Sequence, residues 1–384
     1  MGCSDQKCGC ENSNELVSLQ LKVPANECGC QNAKSKTVSD LKNKHYILDE
    51  IQTPAGMIPR ISSQLNIRDY LGAFRVRWGI RRDRYRVAPG LYAVGTPNEY
   101  SDVLVTANYK LTFDIVRKNL NGLNAWLLVL DTKGVNVWCS AGKGTFGTKE
   151  IVHRIQVTSL GTIVKHKRLL LPQLGATGVA AHLVKESSSF TVIYGPVRAS
   201  DIQPFIKAGY KAIKEMRRVN FGWYDRLKLI PNDIIYNLRY LLSMLIVISV
   251  LSGINTNGYS IQQALRNIIP IAKIIAAGYI AGIVFTPLLL PYIPTQNFSF
   301  KGLIMGIIVS VLLLVNNSLG INIIEGLAGI FFISSISSFL AMNFTGASTY
   351  TSLAGVKKEM KIAVPVQIIF AALALILFVL EITI

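Results

Sequence analysis

Short apolar runs alternate with amphipathic stretches between residues 101 and 218, and their periods predict strands and helices in turn. The predicted strands are Val103–Ala107, Ala125–Leu130, Arg168–Leu171 and Phe190–Tyr194. The predicted helices are Phe113–Leu120, a small helix that ends at Val184, and Ser200–Met216. Strands separated by helices favour a Rossmann-like α/β fold, in which a mostly parallel sheet carries helices on both faces.

Ligands of such folds bind beyond the carboxyl ends of the strands. Cys139, Gly175 and Gly195 each follow a predicted strand. We therefore expect these three residues to line one rim of the sheet.

The pattern changes beyond Arg226 and Lys228, where five long apolar stretches predict an all-α membrane domain. These stretches are Leu238–Ile254, Ile269–Ile293, Gly302–Leu319, Ile321–Met342 and Val364–Ile382. Three domains follow: a flexible cysteine-rich tail over residues 1–40, an α/β domain over 41–225 and a membrane domain over 226–384. Basic residues before the first stretch place the α/β domain in the cytoplasm by the positive-inside rule. We expect Glu325 to lie at the membrane surface, and the polar segment from Asn343 to Ser352 to face the α/β domain.

Charge is distributed as unevenly as hydrophobicity. Of 40 basic and 22 acidic residues, 33 and 19 respectively lie before Asn237, and the net charge of the chain is +18. No nucleic-acid motif accompanies the basic excess, so anionic membrane lipid is the expected partner rather than nucleic acid. The segment Ile67–Arg86 is especially rich in arginine, which is consistent either with an anionic ligand or with a solvated surface.

The tail contains five of the six cysteines, and four of them form two Cys-x-Cys pairs. The five are Cys3, Cys8, Cys10, Cys28 and Cys30. Cys8 and Cys10 with Cys28 and Cys30 could supply four thiolates to a soft metal ion such as zinc or mercury. The alternative is a disordered tail whose thiols have no common role.

The sixth cysteine, Cys139, is predicted to sit at the end of a strand, before a glycine-rich turn and a helix that runs through Glu150. A helix N-terminus and the nearby Lys143 or Lys149 favour the thiolate form, which ligates metals. Two alternatives remain open from the residues alone. Cys139 could be a nucleophile served by His45, His153, His166 or His182, or it could be a core residue.

The same turn matches G-x-G-x-x-G through Gly142, Gly144 and Gly147, which suggests a dinucleotide site. That site also needs an acidic residue about twenty positions later. No Asp or Glu occurs between Ile151 and Lys185, and no P-loop motif occurs in the chain. The dinucleotide interpretation is therefore disfavoured.

The segment Asn136–Thr148, NVWCSAGKGTFGT, resembles the cap-helix signature of the mercury-methylating corrinoid protein family. That signature commonly has alanine where Ser140 stands. Leu171–His182 and Tyr194–Arg198 resemble blocks shared with the corrinoid iron–sulfur protein, and Met342–Met360 resembles the family's membrane part. The resemblance covers roughly residues 104–384 and leaves out the tail cysteines.

The resemblance implies that a cobalamin lies over the sheet rim with Cys139 as the lower axial ligand of cobalt. Asn136 would orient the turn, and Trp138, Thr145, Phe146 and Thr148 would shape the face under the corrin. The full set of implied cofactor-binding residues is Asn136, Val137, Trp138, Cys139, Ala141, Gly142, Lys143, Gly144, Thr145, Phe146, Gly147, Thr148, Gln173, Leu174, Gly175, Ala176 and Val179. The histidine-ligand motif D-x-H-x-x-G of other cobalamin proteins is absent from the sequence.

The activity implied by the resemblance is corrinoid-dependent methyl transfer from methylcobalamin to Hg(II) at the cytoplasmic membrane of an anaerobic microbe. A ferredoxin with two iron–sulfur clusters would supply electrons, and a methyltetrahydrofolate route would supply the methyl group. The alternative is a corrinoid methyl carrier for another acceptor, either arsenic or an enzyme of a one-carbon pathway. Transport is a third class, but the apolar stretches contain few polar residues beyond Lys273 and Glu325.

Overall fold

The computed structural model describes residues 44–256, 258–319, 322–347 and 353–383. They form a mixed α/β domain followed by a helical region. All five tail cysteines, including Cys8, Cys10, Cys28 and Cys30, lie outside the described residues. The soft-metal site expected there stays a prediction.

A seven-stranded sheet forms the centre of the α/β domain. Its strands are β1 (Ile47–Thr53), β2 (Gly56–Ile61), β3 (Gly90–Val94), β4 (Val103–Ala107), β5 (Ala125–Leu130), β6 (Arg168–Leu171) and β7 (Thr191–Tyr194). They lie in the order β1-β2-β3-β5-β4-β6-β7, and the four strands β5, β4, β6 and β7 run parallel. The chain passes from β4 to β5 on one side and then to β6 on the other, so the strand order reverses between β4 and β6. Ligands of open α/β sheets bind outside the carboxyl ends of the strands at this kind of position.

Helices cover both faces of the sheet. They are α1 (Ile67–Arg77), α2 (Lys110–Asn119), α3 (Val137–Gly142), α4 (Thr148–Val157), α5 (Leu160–Ile163), α6 (Ala181–Ser188) and α7 (Ile202–Lys207). Leu128 of β5 belongs to the apolar cluster that contains Ile151 of α4, whereas its neighbour Leu127 belongs to the cluster that contains Phe113 of α2. A strand buried on both faces is apolar at every position, which is why β5 was recognisable from its sequence.

Three of the four predicted strands, β4, β5 and β6, are confirmed residue for residue, and β7 begins one residue after the predicted start at Phe190. The mostly parallel sheet is only partly confirmed, because β3 is antiparallel to β5 and β1 is antiparallel to β2. The predicted helix Ser200–Met216 is wrong. α7 ends at Lys207, and Gly209 and Tyr210 then adopt left-handed backbone angles, with φ of 66° and 64°, that no helix can contain.

A buried cluster of charges joins α1 to α2. Asp69 accepts hydrogen bonds from Lys110 and Arg117 at 2.7 Å each, and Asp114 accepts from the same two cations at 2.6 and 2.8 Å. Burial raises the pKa of Asp69, but hydrogen bonds from Lys110 and His45 outweigh burial and hold that pKa well below its usual value. Every charge of the cluster is therefore paired, as a buried ionic cluster requires.

The helical region contains, within its described residues, five helices long and apolar enough to cross a membrane. After the short helix α8 (Trp223–Leu227), these are built from α9 (Ile230–Leu251), α10 (Ile261–Ile280) with its extension α11 (Thr286–Leu288), α12 (Phe298–Val315), α13 (Ile323–Asn343) and α14 (Leu353–Thr383). The predicted number of apolar stretches is confirmed, with shifted bounds. Glu325 lies in the first turn of α13, where its carboxylate accepts from the backbone N–H of Asn322 at 3.3 Å.

Small residues let α12 and α13 approach closely. A Cβ atom at Gly302 would lie 2.5 Å from the carbonyl oxygen of Ser337, and one at Gly306 would lie 2.6 Å from the Cα of Ser334. The Ser337 hydroxyl also donates to the Gly302 carbonyl at 2.6 Å. Close backbone contact with interhelical hydrogen bonds is the usual way in which helices associate in lipid.

The buried charge cluster yields a stability prediction. Arg117→Met should lower the free energy of unfolding by about 3–5 kcal/mol, because the substitution leaves two buried carboxylates short of a cation. Unfolding of the purified full chain in detergent, followed by circular dichroism, measures the change. Lys133→Met is the matched control, since its pair with Asp131 is exposed and should contribute little.

The same cluster gives stability a pH dependence. Because the folded-state pKa of Asp69 is depressed, its contribution to stability is present above the unfolded pKa of about 3.9 and is lost as the pH falls below that value.

An Arg117→Met chain as stable as the wild type would show that the cluster does not hold the domain together.

Candidate functional site

Cys139 lies in the first turn of the short helix α3, hereafter the cap helix, and not at a strand end as the sequence suggested. Strand β5 ends at Leu130, and the chain then turns until Asn136 starts the helix. The Asn136 side chain accepts a hydrogen bond from the backbone N–H of Cys139 at 2.9 Å. Asparagine is a preferred N-cap residue because it satisfies a backbone donor that the helix leaves unpaired. The side chain of Cys139 is exposed, which argues against the core-residue alternative.

Ser140 ties the cap helix to the loop that follows it. Its buried hydroxyl donates to the Asn136 carbonyl at 2.6 Å and contacts the Val137 carbonyl at 3.0 Å. Its own carbonyl accepts from the backbone N–H groups of Thr145 and Phe146 at 3.0 and 3.1 Å. The segment 136–148, hereafter the cap loop, is thus held by internal hydrogen bonds.

The cap loop packs on residues 172–180, the glycine loop after β6. A Cβ atom at Gly175 would lie 2.5 Å from the ring of Phe146, and one at Gly178 would lie 2.3 Å from the Phe146 carbonyl and 2.9 Å from the Ala141 carbonyl. The N–H of Ala180 donates to the Thr148 hydroxyl at 2.9 Å. These contacts require glycine at both positions and fix the two loops relative to each other.

The structure separates the implied cofactor-binding residues into two groups. One group is exposed or half-buried on the surface of the two loops: Asn136, Trp138, Cys139, Gly142, Lys143, Gly144, Thr145, Thr148, Gln173, Leu174 and Ala176. The other group is buried beneath that surface: Val137, Ala141, Phe146, Gly147, Gly175 and Val179. The buried group supports the loops from beneath, and it includes Phe146, which the resemblance places under the corrin.

The glycine-rich stretch does not have the setting of a dinucleotide fingerprint. Gly142 ends the cap helix and Gly144, with φ of 76°, starts the turn toward α4. A Rossmann fingerprint instead lies directly between a strand and a helix. The glycines serve the turn between two helices.

A cavity of about 1300 Å³ lies over Cys139. From the α/β domain it is lined by, among others, Asn136, Trp138, Cys139 and Leu174. From the helical region it is lined by, among others, Tyr236 and Tyr240 of α9, Asn343 of α13 and Gln367 of α14. The expectation that the polar segment from Asn343 faces the α/β domain agrees with the position of Asn343 in this lining, and residues 348–352 of that segment lie outside the described residues. The contributions of α9 and α14 were not predicted, although the polar Gln367 within an apolar stretch was an available signal.

A second cavity of about 280 Å³ lies at the reversal point of the strand order. Thr106 of β4, Leu171 of β6 and Gly195 after β7 line it from below, and Val137 and Trp138 of the cap helix line it from above. Of the three residues expected on one rim, Gly195 therefore lines the smaller cavity, Cys139 lines the larger one, and Gly175 lies buried under the loops. The two cavities share Asn136, Trp138 and Leu174.

Charged residues of both signs line the larger cavity, among them Arg82 and Asp225. Arg82 donates to the Asn232 side chain at 2.9 Å, and Arg198 pairs at 2.8 Å with Asp225 in its lining. Burial raises the pKa of Tyr109, which lines the same cavity, although Arg82 and Arg77 oppose that shift. Tyr109 is therefore a neutral hydrogen-bonding group at neutral pH.

The glycine contacts predict which positions tolerate a methyl group. Gly178→Ala should destabilise the chain by about 1–3 kcal/mol, because its Cβ meets backbone on two sides. Gly142→Ala should be neutral or stabilising by a few tenths to about 1 kcal/mol, because nothing lies within 4 Å of its Cβ. Thermal unfolding of the two variants compares them. Equal losses for both substitutions would contradict the close approach of the two loops.

Comparison with known proteins relates this site to corrinoid proteins. Residues 73–206 match the family model described as CO dehydrogenase/acetyl-CoA synthase delta subunit. The chain is 34% identical over 137 residues to the acetyl-CoA decarbonylase/synthase complex subunit gamma of Methanopyrus kandleri, which is 35% of this chain and 29% of that protein. It is 32% identical over 125 residues to the corrinoid/iron-sulfur protein large subunit of Moorella thermoacetica, which is 32% of this chain and 28% of that protein.

The chain thus spans less than a third of the length of these curated relatives. The matched segment begins in α1 and ends in α7, so it contains both the cap loop and the glycine loop. These similarities support a relationship between the α/β domain and a family of corrinoid proteins.

Proposed function

We propose that this chain is a membrane-anchored corrinoid protein that transfers a methyl group, and that Cys139 would ligate the cobalt of the bound corrinoid. One observation carries the proposal. The exposed thiol of Cys139, fixed by the Asn136 cap, faces a cavity of about 1300 Å³ beyond the sheet. The relatives named above, which include a corrinoid/iron-sulfur protein, support the same cofactor class.

The residues present fit a corrinoid. The cavity exceeds the roughly 300–1,000 Å³ that drug-sized ligands occupy, so a macrocycle has room in it. Among the described residues that line it, Cys139 supplies a thiol and none is a histidine. His153 and His182 are exposed elsewhere on the domain, whereas His45 and His166 are engaged with Asp69 and the Ser101 carbonyl.

The proposed chemistry of the site follows from the sulfur atom of Cys139 as a metal ligand. When bound, the corrinoid would carry the methyl group that is transferred. Cys139 as a thiolate would place electron density on the metal, as cysteine does in haem proteins, and with Hg(II) as acceptor would favour departure of the methyl group with its bonding electron pair to that electrophile. The other residues of this chain then position that thiolate and surround the ring.

Each positioning role has a contact behind it. Asn136 fixes the backbone of Cys139, and loss of such a cap costs about 1 kcal/mol. Trp138, which is 41% exposed, offers an apolar surface to the same cavity that Cys139 lines. Gln173 is held by a hydrogen bond of 2.6 Å from Arg217, which orients its amide at the edge of the glycine loop.

We further propose that the five apolar helices anchor the chain in the cytoplasmic membrane with the α/β domain in the cytoplasm. Their length and composition are compatible with a membrane protein. Arg239 stacks on Tyr236 and Tyr240 in the middle of α9, just before its apolar run begins at Leu241, with 5.6 and 4.6 Å to the ring centroids. Tyrosine and arginine at one level of a helix are typical of a membrane–water interface.

We propose that a ferredoxin-type iron–sulfur protein supplies electrons to this chain and that a methyltetrahydrofolate route supplies the methyl group. The names of two relatives, a subunit of the acetyl-CoA decarbonylase/synthase complex and a corrinoid/iron-sulfur protein, support partners of this kind.

Two classes of methyl acceptor are favoured by different observations. The relatives named as acetyl-CoA decarbonylase/synthase subunits favour an enzyme of a one-carbon pathway. The sequence of the cap loop favours Hg(II), because it resembles the signature of mercury-methylating corrinoid proteins. The first acceptor has the broader support, and the second is the more specific proposal.

One anaerobic assay separates the two acceptors. Membranes that contain the full chain are loaded with cobalamin bearing an isotopically labelled methyl group, and are given either Hg(II) or acetyl-CoA synthase together with CO and coenzyme A. Methylmercury or labelled acetyl-CoA identifies the acceptor. Cys139→Ala should lower the rate of methyl transfer to that acceptor by at least about 100-fold. Even residues that only orient a metal ligand typically change metal affinity or activity by 10–100-fold when they are mutated.

His153→Gln is the matched control, because this exposed histidine lines neither cavity and should leave the rate unchanged. If methyl transfer survives Cys139→Ala but is lost in His153→Gln, then Cys139 is not the cobalt ligand and the proposal is wrong. No transfer to either acceptor by a chain that retains cobalamin would reject both acceptor classes.

A further inference from the structure

Helix α1 differs from an ordinary amphipathic surface helix, because charged and small residues lie on its inward side and apolar residues on its outward side. Its inward side carries Asp69 in the buried charge cluster and Gly72, whose Cβ position meets the Tyr85 ring at 2.9 Å. Its outward side is an apolar stripe at the spacing i, i+3, i+4, i+7. The stripe consists of Ile67, Tyr70, Leu71 and Phe74, exposed to 70%, 52%, 49% and 60%. A stripe of this kind on a folded domain marks a contact surface.

Arginines border this stripe and continue into the turn after it. The segment from Ile67 to Arg86 contains seven arginines, no lysine and two aspartates, one of which is the buried Asp69. Within the described part of the chain, no carboxylate forms an ion pair with Arg68, Arg75, Arg81 or Arg84, and all four are exposed. Guanidinium groups bind phosphate oxygens in a bidentate manner, so the expected ligand is a phosphate anion.

The position of the segment identifies the source of that phosphate. Arg82 donates to Asn232 of α9 at 2.9 Å, and the Cβ position of Gly79 lies 3.7 Å from Ile235 of the same helix. Asn232 lies seven residues before Arg239, so the turn is about 10 Å along the helix axis from the aromatic and arginine layer of α9. The stripe runs into this turn, because the rings of Phe74 and Trp78 lie 6.0 Å apart.

We propose that α1 and the turn after it form an interfacial element that lies on the cytoplasmic membrane surface, where its arginines bind anionic phospholipid headgroups. The stripe enters the boundary between headgroups and acyl chains, as apolar faces of basic interfacial helices do. The proposal rests on the proposed membrane position of α9 and is independent of the corrinoid. Because Arg77 and Arg82 also line the larger cavity, binding of this element to lipid would hold one wall of that cavity in place.

The test uses the full chain in lipid nanodiscs, made either of phosphatidylcholine or of equal parts of phosphatidylcholine and phosphatidylglycerol. Amide hydrogen exchange of residues 67–86 is followed by mass spectrometry. Exchange should slow several-fold in the anionic discs, because lipid contact protects the helix from opening. The combined variant Arg68→Gln, Arg75→Gln, Arg81→Gln and Arg84→Gln should lose this difference.

A charge-matched control carries Lys118→Gln, Lys185→Gln, Lys207→Gln and Lys211→Gln, four exposed lysines on α2, α6, α7 and the loop after α7. This control should keep the slower exchange in anionic discs. Equal exchange of wild type in both discs would overturn the proposal, as would protection by inorganic phosphate in phosphatidylcholine discs. Failure of the chain to enter either disc would instead reject the membrane position of the helices, so the two failures are distinguishable.

Discussion

The site depends on the close contact between the cap loop and the glycine loop. Gly175 and Gly178 let the backbone of the cap loop approach to distances that no side chain would allow, and the Phe146 ring fills the space below. Ser140 adds a hydrogen bond within the cap loop, and the Thr148 hydroxyl accepts one from the Ala180 N–H of the glycine loop, so the two loops hold each other in place. The thiol of Cys139 is presented by a rigid support, which is the arrangement that a metal ligand needs.

The helical region contributes residues to the candidate site. It supplies a second wall to the larger cavity, with Tyr240 of α9, Asn343 of α13 and Gln367 of α14 among its lining residues. Gln367 is itself held, since its amide donates to the Ser338 hydroxyl at 3.0 Å. A polar amide in an apolar helix is costly, and the place of Gln367 in this wall makes it a candidate to contact a ligand. The proposed cofactor would thus be enclosed between the α/β domain and the bundle of apolar helices.

The sequence was most informative where burial imposed a simple pattern. β4 and β5 are buried on both faces and the apolar helices are long, so their composition alone identified them. It failed where local conformation decided the outcome. The left-handed angles at Gly209 and Tyr210 stopped a helix, and the Asn136 cap created a helix where a strand end was expected. β1 to β3 were missed because their burial is set by distant partners.

The position of Cys139 as a candidate site came from sequence, but its surroundings did not. The cap-loop sequence marked the residues from Asn136 to Thr148, yet only the three-dimensional packing separates the exposed Trp138 from the buried Phe146. The contribution of α9, α13 and α14 depends on contacts between segments more than 90 residues apart in the chain. A pattern of neighbouring residues in the sequence cannot predict such contacts.

The most direct test of the central claim is cobalt X-ray absorption of the full chain loaded with cobalamin, in wild type and in Cys139→Ala. A sulfur atom in the first coordination shell of the wild type, replaced by a lighter atom in the variant, is the result that this account predicts. A cobalt shell without sulfur in the wild type, or the same sulfur-containing shell in both proteins, would contradict it.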